Sequence, residues 1–181
     1  MTDPIAAWHA EHAYFNRLLD LLHRQVDVFP TGGEPNYELM LDIISYLRDY
    51  SDQFHHPRED VAFARMAARC PDIELVFARL QQEHRIIAHA GETLRNHIEA
   101  VLGGTIVPLK EIEVAAATYL VYYGNHIARE EEDIVARAGE VLTPEDWEAV
   151  RTAVPQTHDP LFGDHPEDRY RALRRRIALE A

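Results

Sequence analysis

The sequence predicts an all-α fold, an up-down-up-down four-helix bundle with a short helical extension at its C-terminal end. Three observations predict it. Apolar residues recur at steps of three and four through four long stretches. Proline, glycine and capping residues punctuate the ends of those stretches and leave only short connections. The 181 residues suffice for one domain that buries about 70% of its unfolded surface, so no disulfide or metal staple is needed to hold it together. Residues 1–139 are expected to form the bundle and 140–181 a helical extension packed on it.

The first helix is expected from about 4 to 29. Asp3 caps it, Pro4 takes the first helical position, and Ile5, Trp8, His12, Phe15, Leu19, Leu22, Val26 and Phe29 share one stripe before Pro30-Thr31-Gly32-Gly33 stops it. Asn36 caps the second, whose inward stripe runs Met40, Ile44, Leu47, Ser51, His55, Glu59, Ala62 and Met66 to Cys70-Pro71, with a kink at Pro57. Asp72 opens the third, with Ile73, Val76, Leu80, His84, Ile87, Gly91, Leu94, Ile98 and Val101 inward and Gly103-Gly104 closing it. The fourth starts after Pro108 and carries Ile112, Ala115, Tyr119, Tyr122, His126 and Glu130 to an end at Gly139. Thr143-Pro144-Glu145-Asp146 starts a short helix to about Val154. An irregular stretch, Pro155 to Pro166, precedes a last helix whose Arg169, Arg171, Arg174, Arg175 and Arg176 are expected to dock within the acidic molecule.

Composition narrows the function. With 18 Lys and Arg against 31 Asp and Glu, the net charge of −13 repels phosphate backbones and anionic membrane surfaces, so no nucleic acid or membrane partner is expected. The single cysteine, Cys70, has no disulfide partner, and no evident base activates it. No apolar run approaches a membrane span and the N-terminal residues show no export signal, which makes a cytoplasmic location the expectation. The 11 histidines are the unusual feature, because imidazole is the commonest metal ligand.

His12, His55, Glu59, His84, His126 and Glu130 stand where the periodicity calls for apolar residues. Burying ionisable groups is costly unless they are paired or hold a metal. At about 1.5 Å of rise per residue, an antiparallel bundle brings all six within roughly 6 Å of one level. His55 with Glu59 and His126 with Glu130 are each four apart, so nitrogen and oxygen project together from one face. Four imidazoles and two carboxylates suit divalent iron, manganese or zinc, and two bridging carboxylates would hold a metal pair about 3.5 to 4 Å apart.

In His12, His55-His56-Pro57-Arg58-Glu59-Asp60, Glu83-His84 and His126-Ile127-Ala128-Arg129-Glu130-Glu131, in this order over about residues 9 to 138, the chain resembles the hemerythrin-like proteins that carry the HHE cation-binding domain. The resemblance implies a non-haem di-iron centre of the Fe–O–Fe type, two ions per chain, with His12, His55, His84 and His126 as terminal ligands and Glu59 and Glu130 as bridges. It also implies a small ligand at the metal: oxygen, nitric oxide or water. Oxygen-carrying relatives place a second histidine one turn after the first in the third helix. Here that position is Ala88, and His89 turns away, so one ligand is missing. His9, His56, Asp60 and Glu131 adjoin the six as substitutes, and His23 lines a channel or the core. Tyr119, Tyr122 and Tyr123 are expected in the core beside the centre, and His158 and His165 in solvent.

Three functions compete. A di-iron protein that binds or senses oxygen, nitric oxide or iron comes first. An oxidase or peroxidase would use the open position for turnover, and a metal-free interaction bundle would use the polar layer to fix helix register. A ferritin-like site needs two Glu-x-x-His pairs, and the nearest approach, Asp52 to His55, occurs once. Zinc-protease, phosphate-loop and serine-hydrolase motifs are absent.

Overall fold

Helix α1 (Pro4–Val26) starts where Asp3 Oδ1 accepts the Ile5 N–H at 3.0 Å, with Pro4 spared a donor it lacks. These details come from a computed structural model that describes residues 3–154 and 157–179. The first helix is shorter than expected: Phe29–Thr31 form a separate 3-10 turn, closed by Gly32 in the left-handed region at φ 71.

The second rod stays helical through Pro57, where a kink is expected. Asn36 Oδ1 accepts the Leu39 N–H at 2.9 Å and caps α2 (Tyr37–Tyr46), which widens into a π-helical stretch, Leu47–His55, and continues as α3 (His56–Ala67). Pro57 sits in the first turn of α3. The wide turns before it carry the missing N–H without a break, and the His56 N–H reaches back to the Ser51 carbonyl.

Asp72 does not cap the third helix. Pro71–Ile73 form a 3-10 turn ahead of α4 (Glu74–Leu102), and the Asp72 carboxylate accepts from Arg137 at 2.9 Å instead. Gly104, at φ 83, turns the chain away after α4. The fourth rod is α5 (Leu109–Arg129), a second π-helical stretch, Glu130–Ile134, and α6 (Val135–Val141). It runs through Gly139, because that backbone never turns left-handed, so the expected boundary at 139 falls inside α6. Thr143 and Asp146 form a reciprocal cap for α7 (Pro144–Ala153), and α8 (Arg171–Leu179) ends the described chain. No strand occurs among the described residues. Pro155, the expected start of the irregular stretch, lies outside them.

The four rods pack in a ring, α1 against α2 and α5, and α4 against α2, α3 and α5. α7 lies on α3 and α8 on α2. Tyr170, Leu173 and Ile177 carry the last segment into the core, and Arg169 Nη1 donates to Asp49 Oδ2 at 3.0 Å. Tyr122 is 41% exposed, against expectation, because Tyr123, four residues after Tyr119, takes the inward face. His23 also faces solvent, 3.5 Å from Asp27 at the end of its helix. His158 and His165 are both exposed, and His158 Nε2 lies 2.7 Å from the His165 carbonyl.

The apolar core is split in two. One cluster holds Phe15, Leu47, Ile87 and Ile127, the other Trp8, Phe63, Leu80 and Ile134, and between them every rod contributes polar side chains. Close packing of α4 on α5 depends on Gly91, where a Cβ would lie 2.9 Å from Tyr119 Cε2 in a fully buried ring. Gly91→Ala is expected to destabilise the protein by about 1–3 kcal/mol through overpacking, read as a lower denaturation midpoint at unchanged slope.

Candidate metal centre

Seven buried side chains meet in the polar layer: His12 from α1, His55, His56 and Glu59 from the second rod, His84 from α4, and His126 and Glu130 from the fourth. All six residues singled out from the sequence are among them. On one side His12 Nε2 lies 3.1 Å from His55 Nε2 and 3.2 Å from Glu59 Oε1. On the other, His84 Nε2 lies 3.0 Å from His126 Nε2 and 3.3 Å from Glu59 Oε2. Glu130 spans the same divide, with Oε2 at 3.3 Å from His12 Nε2 and Oε1 at 3.3 Å from His126 Nε2. Each carboxylate thus offers one oxygen to each half.

The outer ring nitrogens explain the orientation of the inner ones. His12 Nδ1 lies 2.5 Å from Glu131, His55 Nδ1 2.6 Å from Glu11, His84 Nδ1 3.0 Å from Asp60 and His126 Nδ1 3.3 Å from Glu83. His56 Nδ1 faces Asp52 Oδ1 at 3.3 Å, and its ring stacks on His84 with centroids 4.3 Å apart. In His12, His55, His84 and His126, an Nδ1–H donated to a carboxylate fixes the tautomer and turns the Nε2 lone pair inward, where it can bind a metal, whereas His56 Nε2 lies 3.3 Å from Ser51 Oγ. These partners are themselves held. Glu11 accepts from Arg58 at 2.8 Å and from Tyr50 at 2.9 Å, and Glu83 accepts from Arg129 and Arg79.

Lone pairs of imidazoles and carboxylates gathered in an apolar interior repel one another unless a cation or protons lie among them. In the metal-free chain, protons serve. Burial pushes His12 and His84 down, but the surrounding carboxylates outweigh it and hold both up at about 11. For His12 these are Glu130, Glu131 and Glu59, and for His84 they are Asp60, Glu130 and Glu59. Carboxylates raise His55 and His126 against burial in the same way, while burial beside the cationic His84 holds His56 well below its usual value. Burial and Glu59 push the Glu130 carboxyl up, but His126 and His12 bring it down to about 2. Burial lifts Asp52 to about 7 despite Arg48 and His84. Even so, Glu59 Oε2 and both oxygens of Glu130 are buried without a hydrogen bond. Such orphaned oxygens, facing imidazole nitrogens across 3.3 Å, are what a metal ion would satisfy. Two groups have ligand atoms close enough to hold an ion: His56, Glu59, His84 and His126, and His12, His55 and Glu59.

His56 is the residue the periodicity undervalues. In a regular helix, neighbours point about 100° apart and only one of His55 and His56 can face inward. The π-helical stretch that ends at His55 turns both into the layer, and both are 3% exposed. Of the other expected substitutes, Asp60 and Glu131 bind outer ring nitrogens, and His9 is half-exposed, 2.5 Å from Glu131. Glu11 and Asp52 are not marked by the periodicity; Asp52 has one local signal, its place one turn before His56, and Glu11 has none. Trp8, read as plain core, donates its indole N–H to Glu59 Oε1 at 2.5 Å. Ala88 is half-buried and His89 exposed.

A family model described as the hemerythrin HHE cation binding domain matches residues 3–138, well over half of the chain. No curated protein matches it. No helix among the described residues is long and apolar enough to cross a membrane.

Proposed function

The chain belongs to the hemerythrin HHE cation-binding family, and on that premise we propose that its polar layer holds two non-haem iron ions and serves to bind or sense oxygen, nitric oxide or iron. His12 and His55 would ligate one ion, His56, His84 and His126 the other, and Glu59 and Glu130 both. The observation that carries this reading is the pairing of four histidine Nδ1 atoms with four carboxylates around Glu59 and Glu130 oxygens that lack any donor. A metal-free layer built only to fix helix register would pair the oxygens that Glu59 and Glu130 turn toward the imidazoles.

Iron so held supplies a redox-active Lewis acid at which a diatomic ligand can bind. The chain's own residues set the terms. Glu59 and Glu130 bring negative charge to both halves, the outer carboxylates hold the rings in position, and the apolar clusters above and below exclude bulk water. The indole N–H of Trp8 is a fixed donor beside the His12 half. His56 supplies the imidazole that Ala88 does not, from the second rod rather than the third.

The test is to load the chain with ferrous iron without air, then admit oxygen or nitric oxide. Binding or sensing predicts a ligand-dependent absorption change that stops at a fixed stoichiometry. Continuous oxygen consumption with a reductant would favour the oxidase reading. His56→Ala is expected to lower iron from about two to about one per chain with helical content kept, since the first half retains His12, His55 and both carboxylates. Unchanged iron in that variant would remove His56 from the ligand set.

A further inference from the structure

A cavity of about 320 Å³ lies between α1, α3 and α7, at the lower end of the size range of small-molecule sites. The chain has two tryptophans, and both line it: Trp8 and Trp147 stand edge to face, with ring centroids 6.3 Å apart. Val150 of α7 and Val154 just after it add apolar wall. The family match ends at residue 138, so the wall that α7 contributes lies outside the matched domain. At its deep end the cavity reaches the buried His55 and Glu59, the half of the metal centre with fewer histidines.

The polar groups on the lining are selective. Glu11, His55 and Glu59 lie there too, but Arg58, His55 and Tyr50 already occupy the Glu11 oxygens, and Glu59 Oε1 meets His55 Nε2 at 2.7 Å and accepts the Trp8 indole N–H. Two guanidiniums remain: Arg58, whose Nη1 is outside its bonds to Glu11 and Phe54, and Arg151 at the exposed rim, which meets Glu148 on the surface. Flat apolar walls select a ring, and guanidinium groups select a carboxylate over an alcohol or an amine.

We propose that this cavity binds a small aromatic carboxylate, its ring against Trp8 and Trp147 and its carboxylate between Arg58 and Arg151. The proposal rests on the metal-centre reading only in that the bound molecule would lie against His55 and Glu59.

Tryptophan emission reports occupancy directly, since both indoles line the cavity. The full chain is titrated with benzoate, benzyl alcohol and benzylamine, first metal-free and then after iron loading, with iron content measured in parallel. The metal-free titration decides the cavity and the iron content decides the centre, so the two readings fail separately. Benzoate is expected to saturate the change with a Kd about tenfold below that of benzyl alcohol, and benzylamine to bind least. Arg151→Glu should erase the benzoate advantage and leave benzyl alcohol unchanged. Ala7→Phe, which adds a ring from the α1 wall, should weaken both. If Ala7→Phe fails to fold, Arg151→Glu, on an exposed side chain, still decides. Benzoate that binds no better than benzyl alcohol, or as well to Arg151→Glu as to the unaltered chain, overturns the proposal.

Discussion

Glu59→Ala is expected to lose metal from both halves of the layer together, leaving well under about one ion in ten chains. Its Oε1 faces His12 and His55, at 3.2 and 2.7 Å, and its Oε2 faces His84 at 3.3 Å, so one side chain faces both groups of imidazoles. No histidine in the layer has that reach, which is why the effect should exceed that of His56→Ala. The same substitution removes the counter-charge of three raised imidazoles and should cost the metal-free fold about 3–5 kcal/mol. Glu59→Gln keeps the shape while removing the charge, and separates loss of metal from loss of fold. Elemental analysis after loading, with circular dichroism beside it, reads both. A folded Glu59→Gln protein with two ions per chain would show that Glu59 does not bridge.

The second large effect is on pH dependence, and its sign differs on the two sides of neutrality. His12 and His84 are held at about 11 in the folded chain against an ordinary 6.5. Their contribution to metal-free stability is therefore complete below about pH 6.5 and is lost as pH rises toward 11. Glu11, Glu83 and Glu130 are held at about 2 against an ordinary 4.5, so theirs is complete above about pH 4.5 and lost as pH falls toward 2. The metal-free protein should be most stable between about pH 4.5 and 6.5, then lose up to about 1.4 kcal/mol per pH unit for each of the two histidines. Bound metal replaces those protons, so the loaded protein escapes this loss and the gap between the two Tm values should widen from about pH 6.5 to 8.5. Thermal unfolding of both forms across that range checks it. A metal-free Tm that stays level or rises contradicts the charge assignment.

Much of this was legible from spacing. Helical periodicity placed His12, His55, Glu59, His84, His126 and Glu130 on inward stripes, and all are buried at one level. What it missed lies where the helix departs from 3.6 residues per turn. The π-helical stretch Leu47–His55 turns His56 inward and absorbs Pro57, and a second one begins at Glu130. Partners such as Glu11 and Asp52 were hidden because a carboxylate on a half-buried face reads as solvated until the ring it meets on another rod is known. Asp72 and Gly139 carried the usual helix-end signals but answered to tertiary context, Arg137 in one case and an uninterrupted helix in the other. The cavity under α7 needed three elements distant in sequence, and no local pattern announces it.

Every ligand role proposed above depends on this layer holding two metal ions. Metal content per chain after anaerobic loading with ferrous iron, with an optical spectrum before and after air, tests it most directly. Close to two irons per chain and a new near-ultraviolet band on oxidation are expected. Less than about a tenth of an iron per chain, with the helical content unchanged, would contradict it and leave the layer as a proton-filled network that fixes helix register.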